Sequence, residues 1–320
     1  MIGGTTNGGY FIPDELWAAE IKENLFPALM DGYPHMRWLV DEFPHGDQVT
    51  IPTTGRMTVR SYTEGDEITV EDPTLNEIVL TINKYYQSGI ALTDKFKQDT
   101  HIAEMAMSTW RRDTLRKLSE KIEADVHNTV NTDAVNGHTA ADDNDIGGID
   151  HRWAASGTSQ IFDYADFRHA KYVFDKGNVQ KAGRVFVIDP KPVHDLLAST
   201  AGSTAVLAQD VYGSNTFLKD GFGLGAYVGR FFGFEVFDSN LLSTMDSETL
   251  PKYGVTATAA LTSPVVNMAY GEEALFGCFR QNVEIEQFRD YIRKQDVIHA
   301  CVRFGNRVYR PESVVAVLSV

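Results

Sequence analysis

Cysteine is almost absent: Cys278 and Cys301 are the only two in 320 residues. Two cysteines do not make a disulfide scaffold, and both stand in apolar or aromatic surroundings, so they are expected to be buried free thiols. No apolar run approaches the roughly 20 residues that span a bilayer. The opening Met1-Ile-Gly-Gly-Thr-Thr-Asn-Gly-Gly9 has neither a basic region nor a long apolar core, so it does not read as a secretory signal. These absences place synthesis and use of the chain in a cytoplasm, or inside a particle built there. Positive charge is also scarce, with 29 Lys and Arg against 44 Asp and Glu and a net charge of -15. Gripping DNA or RNA through its phosphates needs a Lys/Arg surface, so such binding is disfavoured, although enclosing nucleic acid is not. Strong like charge keeps unassembled copies soluble and slows their association at low salt.

Chemistry-bearing motifs are missing too. There is no His-Glu-x-x-His or Cys-x-x-Cys for zinc, no Gly-x-Ser-x-Gly elbow and no Gly-Lys-Ser/Thr phosphate loop. Gly223-Leu-Gly225 could open a dinucleotide fingerprint, but the third glycine position holds Val228 and no strand-and-helix frame surrounds it. Asp143, Asp145 and Gly148 fit three positions of a calcium loop, yet Gly147 and Ala154 stand where two further ligands belong. A solvated acidic turn is the plainer reading. His169 and His194, with Asp166 and Asp195 close by, could form a base–carboxylate pair; structural histidines explain them as well. Arg111-Arg112 and Arg116-Lys117 are interleaved with Asp113, Glu120, Glu123 and Asp125, which marks a solvated or subunit-contacting helix face. No catalytic residue, cofactor or metal ligand is assigned.

A hydrophobic content of 43% with 11% aromatics suits a folded chain of one large or two ordinary domains. Leu16, Trp17, Ile21, Leu25 and Leu29 recur at helical spacing, with Pro13 in the first turn. That segment is either a surface helix or an arm lying across a neighbouring copy. From 47 to 92 the period becomes two: Val49 and Ile51, Ile68 and Val70, then Ile78, Leu80 and Ile82. Acids and turn formers fill the middle, including Glu64, Gly65, Asp66 and Glu67. This predicts a long β-hairpin projecting from the body. Such a hairpin is marginal alone in water and becomes reasonable when its flank packs on another copy.

Thr100 to Asn131 predicts a long helix, with Leu115, Leu118, Ile122, Val126 and Val130 on one face and an Asp113–Lys117 pair. Asn136 to Asp150 is a loop by composition. Asp163 to Lys176 is a helix, Arg184 to Ile188 a strand stopped by Pro190, and Val193 to Ser199 another helix, together a compact α/β unit. Gly221 to Gly229 is a glycine-rich bend. Phe234 to Phe237 is a strand ended by Ser239-Asn240, residues 243–263 read as loop, and Asn267 to Cys278 and Val283 to Tyr291 as strands. The chain closes with a strand, a turn at Gly305-Asn306, a second strand, Pro311 and a final apolar run to Leu318. A chain ending in a buried strand needs its C-terminus to fold, and nothing there reads as a tail or a catalytic loop.

Four stretches in this order resemble the major capsid proteins of tailed double-stranded DNA phages, the Hong Kong 97 fold. They are Asp47-Gln-Val-Thr-Ile-Pro-Thr-Thr-Gly55 with Val59-Arg-Ser-Tyr-Thr-Glu-Gly65, Gly183-Arg-Val-Phe-Val-Ile-Asp-Pro190, Gly229-Arg-Phe-Phe-Gly-Phe-Glu-Val-Phe-Asp-Ser-Asn240 and Arg307-Val-Tyr-Arg-Pro-Glu-Ser-Val-Val315. The resemblance implies an α+β fold with an N-terminal arm (1–46), an extended loop hairpin (47–93), a P-domain with a spine helix (94–153), an A-domain (154–275) and P-domain return strands (276–320). It implies hexamers and pentamers that tile an icosahedral shell around DNA, with a portal and decoration proteins as further partners and no membrane. Subunit contacts are then expected at Trp17, Arg56, Arg60, Glu64, Asp66, Glu67, Arg111 and Arg112.

Some members of that family carry an N-terminal scaffolding segment that is cleaved away; here the sequence begins almost directly at the arm, so either scaffolding is expected from a separate protein or Met1 marks an edited start. Some crosslink a loop lysine to an asparagine; residues 47–83 hold no lysine and Lys84 sits at the hairpin base, so no such crosslink is expected. An encapsulin-type nanocompartment shell shares the fold and would hold a cargo enzyme. An α/β enzyme with an unrecognised site is the reading from another class, and it predicts a concave pocket with convergent polar groups.

Overall fold

The computed structural model describes residues 36–38, 46–54, 59–65, 67, 70, 72, 75–99, 103–132, 134–135, 138–139, 149–198, 227–253 and 258–320. The Trp17 segment, the acidic turn at 142–148 and Gly223-Gly225 lie outside these residues. The chain folds around two sheets with one long helix packed against both. The strands in chain order begin with β1 (Met36–Trp38), β2 (Gln48–Thr54), β3 (Leu75–Thr81) and β4 (Lys84–Thr93). A short helix α1 (Asp94–Asp99) and the long helix α2 (Ala103–Thr132) follow. At 30 residues, α2 is roughly 45 Å long.

A small ladder and a compact unit come next. The strands β5 (Ala134–Val135) and β6 (His138–Thr139) pair where sequence suggested that a loop begins. Then come β7 (Arg152–Ala154), helix α3 (Tyr164–Lys176), β8 (Val185–Ile188) and helix α4 (Pro190–Ala198). Pro190 therefore both stops β8 and opens α4, because its fixed φ suits a first helical turn. The strands β9 (Tyr227–Phe231) and β10 (Phe234–Asp238) form a tight hairpin whose two turn residues, Phe232 and Gly233, have φ of 48° and 91°. The paired positive angles match strand twist, and glycine supplies one of them without strain.

Residues 243–263 are not simply loop: β11 (Glu248–Pro251) pairs antiparallel with β12 (Thr258–Leu261). Thr, Ala and Ser dominate there and give no period-two signal. The expected strand Asn267–Cys278 is two strands, β13 (Val265–Tyr270) and the start of β14 (Leu275–Asp290), which belong to different sheets. The last two strands are β15 (Gln295–Val308) and β16 (Val314–Ser319), linked by a 3-10 turn at Pro311–Ser313.

The six-stranded sheet runs β7-β16-β13-β8-β10-β9. Both its faces are covered, which explains why Val185–Ile188 and Val314–Ser319 are apolar or small throughout rather than alternating. Val185, Val187, Met268, Tyr270 and Ala316 share a cluster with Leu118, Ile122, Val126 and Val130 of α2. The opposite residues Phe186, Ile188, Ala269, Val315 and Val317 pack with Phe167, Val173 and Phe174 of α3 and Leu196 of α4. Helix α3 starts at a reciprocal cap: Asp163 accepts from backbone, and the Asp166 carboxylate accepts from the Asp163 N–H.

The second sheet runs β1-β14-β15-β4. Its inner residues Ile298, Ala300, Val302 and Phe304 join the α2 cluster, so α2 is wedged against both sheets. Polar ties reinforce the wedge. Lys84 Nζ donates to Thr129 Oγ1 at 3.1 Å and to Asn306 Oδ1 at 2.5 Å. On the other sheet, Ser239 Oγ donates to Glu123 at 2.8 Å, and His127 Nδ1 lies 3.0 Å from the Tyr270 hydroxyl.

Gly305-Asn306 is not a turn. It lies inside β15, with Gly305 opposite Cys278 and Asn306 opposite Gly277. The glycine is there because the chain joining β3 to β4 crosses it: an added Cβ would sit 2.4 Å from the Thr81 carbonyl oxygen and 2.9 Å from Ile82 Cα. The real reversal is at Tyr291–Lys294, where the Asp290 carboxylate accepts from the Ile292 and Arg293 N–H groups. That turn is built without glycine or proline, Lys294 taking a positive φ of 50° at its end.

Candidate assembly surfaces

The first candidate surface is the β2–β3 hairpin. Its register pairs Gln48 with Thr81 and Thr54 with Leu75, so the base is at residues 48 and 81 and the tip beyond 54 and 75. At the base Val49, Leu80 and Ile82 bury against Phe276 and Cys278, with Tyr309 stacked on Phe276 at 3.9 Å. Arg303 pairs with Asp47 at 2.9 Å, and Arg307 donates to the Val79 carbonyl. Burial then fades along β3 toward Leu75. At the end of the ladder Leu75 is 71% exposed, and beyond it Val59, Tyr62 and Val70 are 96, 66 and 85% exposed. Of the expected middle strand, Ile68 lies outside the described residues and Val70 stands outside any strand.

The second surface is the tip of the β14–β15 hairpin. The two strands pair over most of their length with register shifts near Gln281. Such bulges bend and twist a ribbon without ending it. The tip is clamped by ions: Arg289 bonds Asp94 at 2.7 Å and Asp296 at 2.7 Å, and Lys97 also reaches Asp296. The Arg289 guanidinium holds the Asp94 carboxyl below the usual carboxylate range, and Lys97, then Arg289, do the same to Asp296. The Asp94 N–H donates to the Lys294 carbonyl, which ties α1 to the turn. Phe288, Tyr291 and Ile292 are 51, 83 and 95% exposed.

Of the residues expected at subunit contacts, Arg60, Glu64 and Glu67 are exposed near the tip of the first hairpin. Arg111 and Arg112 lie in the N-terminal third of α2. Trp17, Arg56 and Asp66 lie outside the described residues. On α2 the expected Asp113–Lys117 pair gives way to Lys117–Glu120 at 2.8 Å, with Arg116 on the same carboxylate at 2.7 Å. Glu120 is the better acceptor because it sits between two cations. Sequence reading missed Phe288, Tyr291 and Ile292; the only signal was apolar residues placed where the strand pattern runs out.

The titratable groups that suggested chemistry turn out otherwise employed. Asp166 is fully buried, accepts from the Ser156 N–H and Trp153 Nε1, and does not meet His169. Burial pushes its carboxyl up to about 6. His169 stacks on Tyr253 at 4.4 Å, and burial holds its imidazole below the usual range. His194 lies 3.4 Å from Asp195 on an exposed turn of α4. Both cysteines are buried, and neither is in a disulfide. Among the described residues no three His, Cys, Asp or Glu side chains gather as metal ligands, and no helix is long and apolar enough to cross a membrane.

Comparison with solved structures decides the fold. The capsid structure of the cyanophage P-SCSP1u superposes with a TM-score of 0.63 at 14% identity, covering 91% of this chain and 88% of that one. The acid-stable capsid of Helicobacter pylori bacteriophage KHP30 gives 0.61 at 9% identity, over 89% and 88%. A structure from Mycobacterium phage Che8 gives 0.59 at 19% identity, over 86% and 85%.

The chain has the Hong Kong 97 fold.

No family model and no curated protein matches the sequence. In a Hong Kong 97 fold at such low identity, the architecture is kept by burial pattern and strand order rather than by residue identity.

Proposed function

We propose that this chain is a major capsid protein, assembling as hexamers and pentamers into an icosahedral shell around phage double-stranded DNA. The observation that carries the reading is the Hong Kong 97 fold over about nine-tenths of the chain, shared with phage capsids, together with two hairpins whose tips leave large apolar side chains in water. Monomeric proteins rarely leave such groups clustered in the open. The role is mechanical, and no residue is given a catalytic part. The segments 1–46, 47–93, 94–153, 154–275 and 276–320 would act as arm, extended loop, P-domain, A-domain and P-domain return. Copies contact one another through Trp17, Arg56, Arg60, Glu64, Asp66, Glu67, Arg111 and Arg112, in heterologous rings where different patches meet. A separate scaffolding protein, a portal and decoration proteins complete the virion, which is assembled in the host bacterial cytoplasm. DNA is enclosed, not read.

Negative-stain microscopy of the purified chain, alone and with crowding agents, tests this reading. Rings of five or six and closed shells are expected. Discrete small particles under every condition, with turnover of a small molecule, would overturn it.

A further inference from the structure

Positive charge is segregated on this molecule. Several cations of α2 and the second sheet stand against carboxylates: Arg116 and Lys117 share Glu120, Lys121 faces Asp125, Arg289 holds Asp94 and Asp296, and Arg303 pairs with Asp47. Helix α3 is different. Arg168, Lys171 and Lys176, with Lys181 in the turn that follows, are exposed, and among the described residues none of the four meets a carboxylate. The helical period puts the first three on one side of α3, while Phe167, Ala170, Val173 and Phe174 are buried on the other. The carboxylate between them, Asp175, is taken by the buried Arg184 at 2.8 Å, so that pair is neutral. Tyr172 stands among the cations, 52% exposed, with Lys176 Nζ 5.8 Å from its ring centroid. In a chain of net charge -15 this is a face of opposite sign.

Resting on the capsid reading above, we infer that the exposed side of α3, continued by Lys181, is a sequence-independent contact for the phosphate backbone of the enclosed DNA. The residue types choose phosphate over protein. Lysine is depleted at protein–protein interfaces, whose cores are apolar and aromatic; here Tyr172 is the one large ring among four cations. An ammonium is a point charge that neutralises phosphate without reading bases. Arg168 to Lys176 spans about 12 Å of helix axis, several phosphates of a duplex. Counterions released from the DNA drive the contact. The remainder of a strongly acidic surface repels DNA, which confines the duplex to this face. Because none of the four cations is held by a carboxylate, no ion pair has to break when a phosphate arrives.

Fluorescence anisotropy of a labelled mixed-sequence DNA duplex, titrated with dissociated full-length subunits, tests it. Wild type should bind in the range of about 1–100 µM at low salt, and four neutralised phosphates should weaken binding by about two powers of ten between roughly 50 and 200 mM salt. The set R168Q/K171Q/K176Q/K181Q should bind at least about tenfold more weakly and lose most of that salt dependence. The set K95Q/R116Q/K294Q/R310Q removes as much charge from exposed cations elsewhere and should bind like wild type. Melting curves of both sets separate loss of contact from loss of fold. Wild-type subunits that leave the duplex free at low salt overturn the inference, as do two sets that weaken binding equally, which would make it an effect of net charge. A first set that binds DNA normally but forms no particles also overturns it, and assigns these cations to carboxylates of another copy. Each of these results leaves the capsid reading standing if wild type forms shells in the microscope; duplex binding by a chain that never forms shells would sink that reading instead.

Discussion

At Gly305 the backbone of β15 passes beneath Thr81 and Ile82 with no room for a methyl group. The atoms in the way belong to the main chain of the hairpin base and cannot swing aside. Gly305→Ala should therefore cost about 1–3 kcal/mol as overpacking does, read as a lower melting temperature. An unchanged melting temperature would show that the hairpin base is not seated there. The same residue explains a misreading: Gly-Asn ordinarily signals a turn, and sequence alone does not distinguish a glycine needed for its φ from one needed for its missing side chain. Asp166 gives a second test. Its carboxyl is raised from 3.8 to about 6 by burial, so the folded state holds a proton that the unfolded chain releases. Its contribution to stability is full below about pH 4 and is lost as pH rises through 6. The stability of wild type relative to D166N should fall by up to about 3 kcal/mol between pH 4 and pH 7. A flat or rising difference in denaturant titrations would contradict this.

Helix α2 was legible because its C-terminal half repeats apolar residues every four positions, and Leu118, Ile122, Val126 and Val130 are all buried. Ile122 is fully covered between two sheets, so Ile122→Ala should destabilise by about 2–5 kcal/mol, measured by urea unfolding; a loss under about 1 kcal/mol would mean the wedge is loose. The β11–β12 hairpin was not legible, since Glu248–Pro251 and Thr258–Leu261 alternate weakly and are held by tertiary position. The tip of β14–β15 was half legible: the strands announced themselves, but a turn made by an aspartate side chain leaves little mark in composition. At this tip, Arg289→Ala should free α1, seen as faster amide hydrogen exchange across Asp94–Asp99 with little change in β16. Because Asp94 and Asp296 are held below the usual carboxylate range, the clamp is present at neutral pH and is lost as pH falls through those lowered values. Exchange in α1 that is indifferent to this substitution would contradict the clamp.

The molecule as a whole was read from the order of its segments: projecting hairpin, long helix, compact α/β unit, returning strands and buried C-terminal strand. That order survives in the structure although several boundaries moved. The residues proposed as contacts were less legible, because exposure is invisible in one dimension. Tyr62 and Tyr291 look in sequence like any core aromatic. Lys84 is engaged with Thr129 and Asn306 of its own chain, so denatured particles should run at the monomer size on a gel; a ladder would show that copies are covalently joined. The claim on which the account rests is that the distal part of the β2–β3 hairpin is completed by a neighbouring copy. Hydrogen exchange of residues 48–81 in assembled particles, compared with dissociated subunits, addresses it directly. Strong protection of the distal hairpin in particles that vanishes on dissociation is the predicted result; equal exchange in both states would contradict the account.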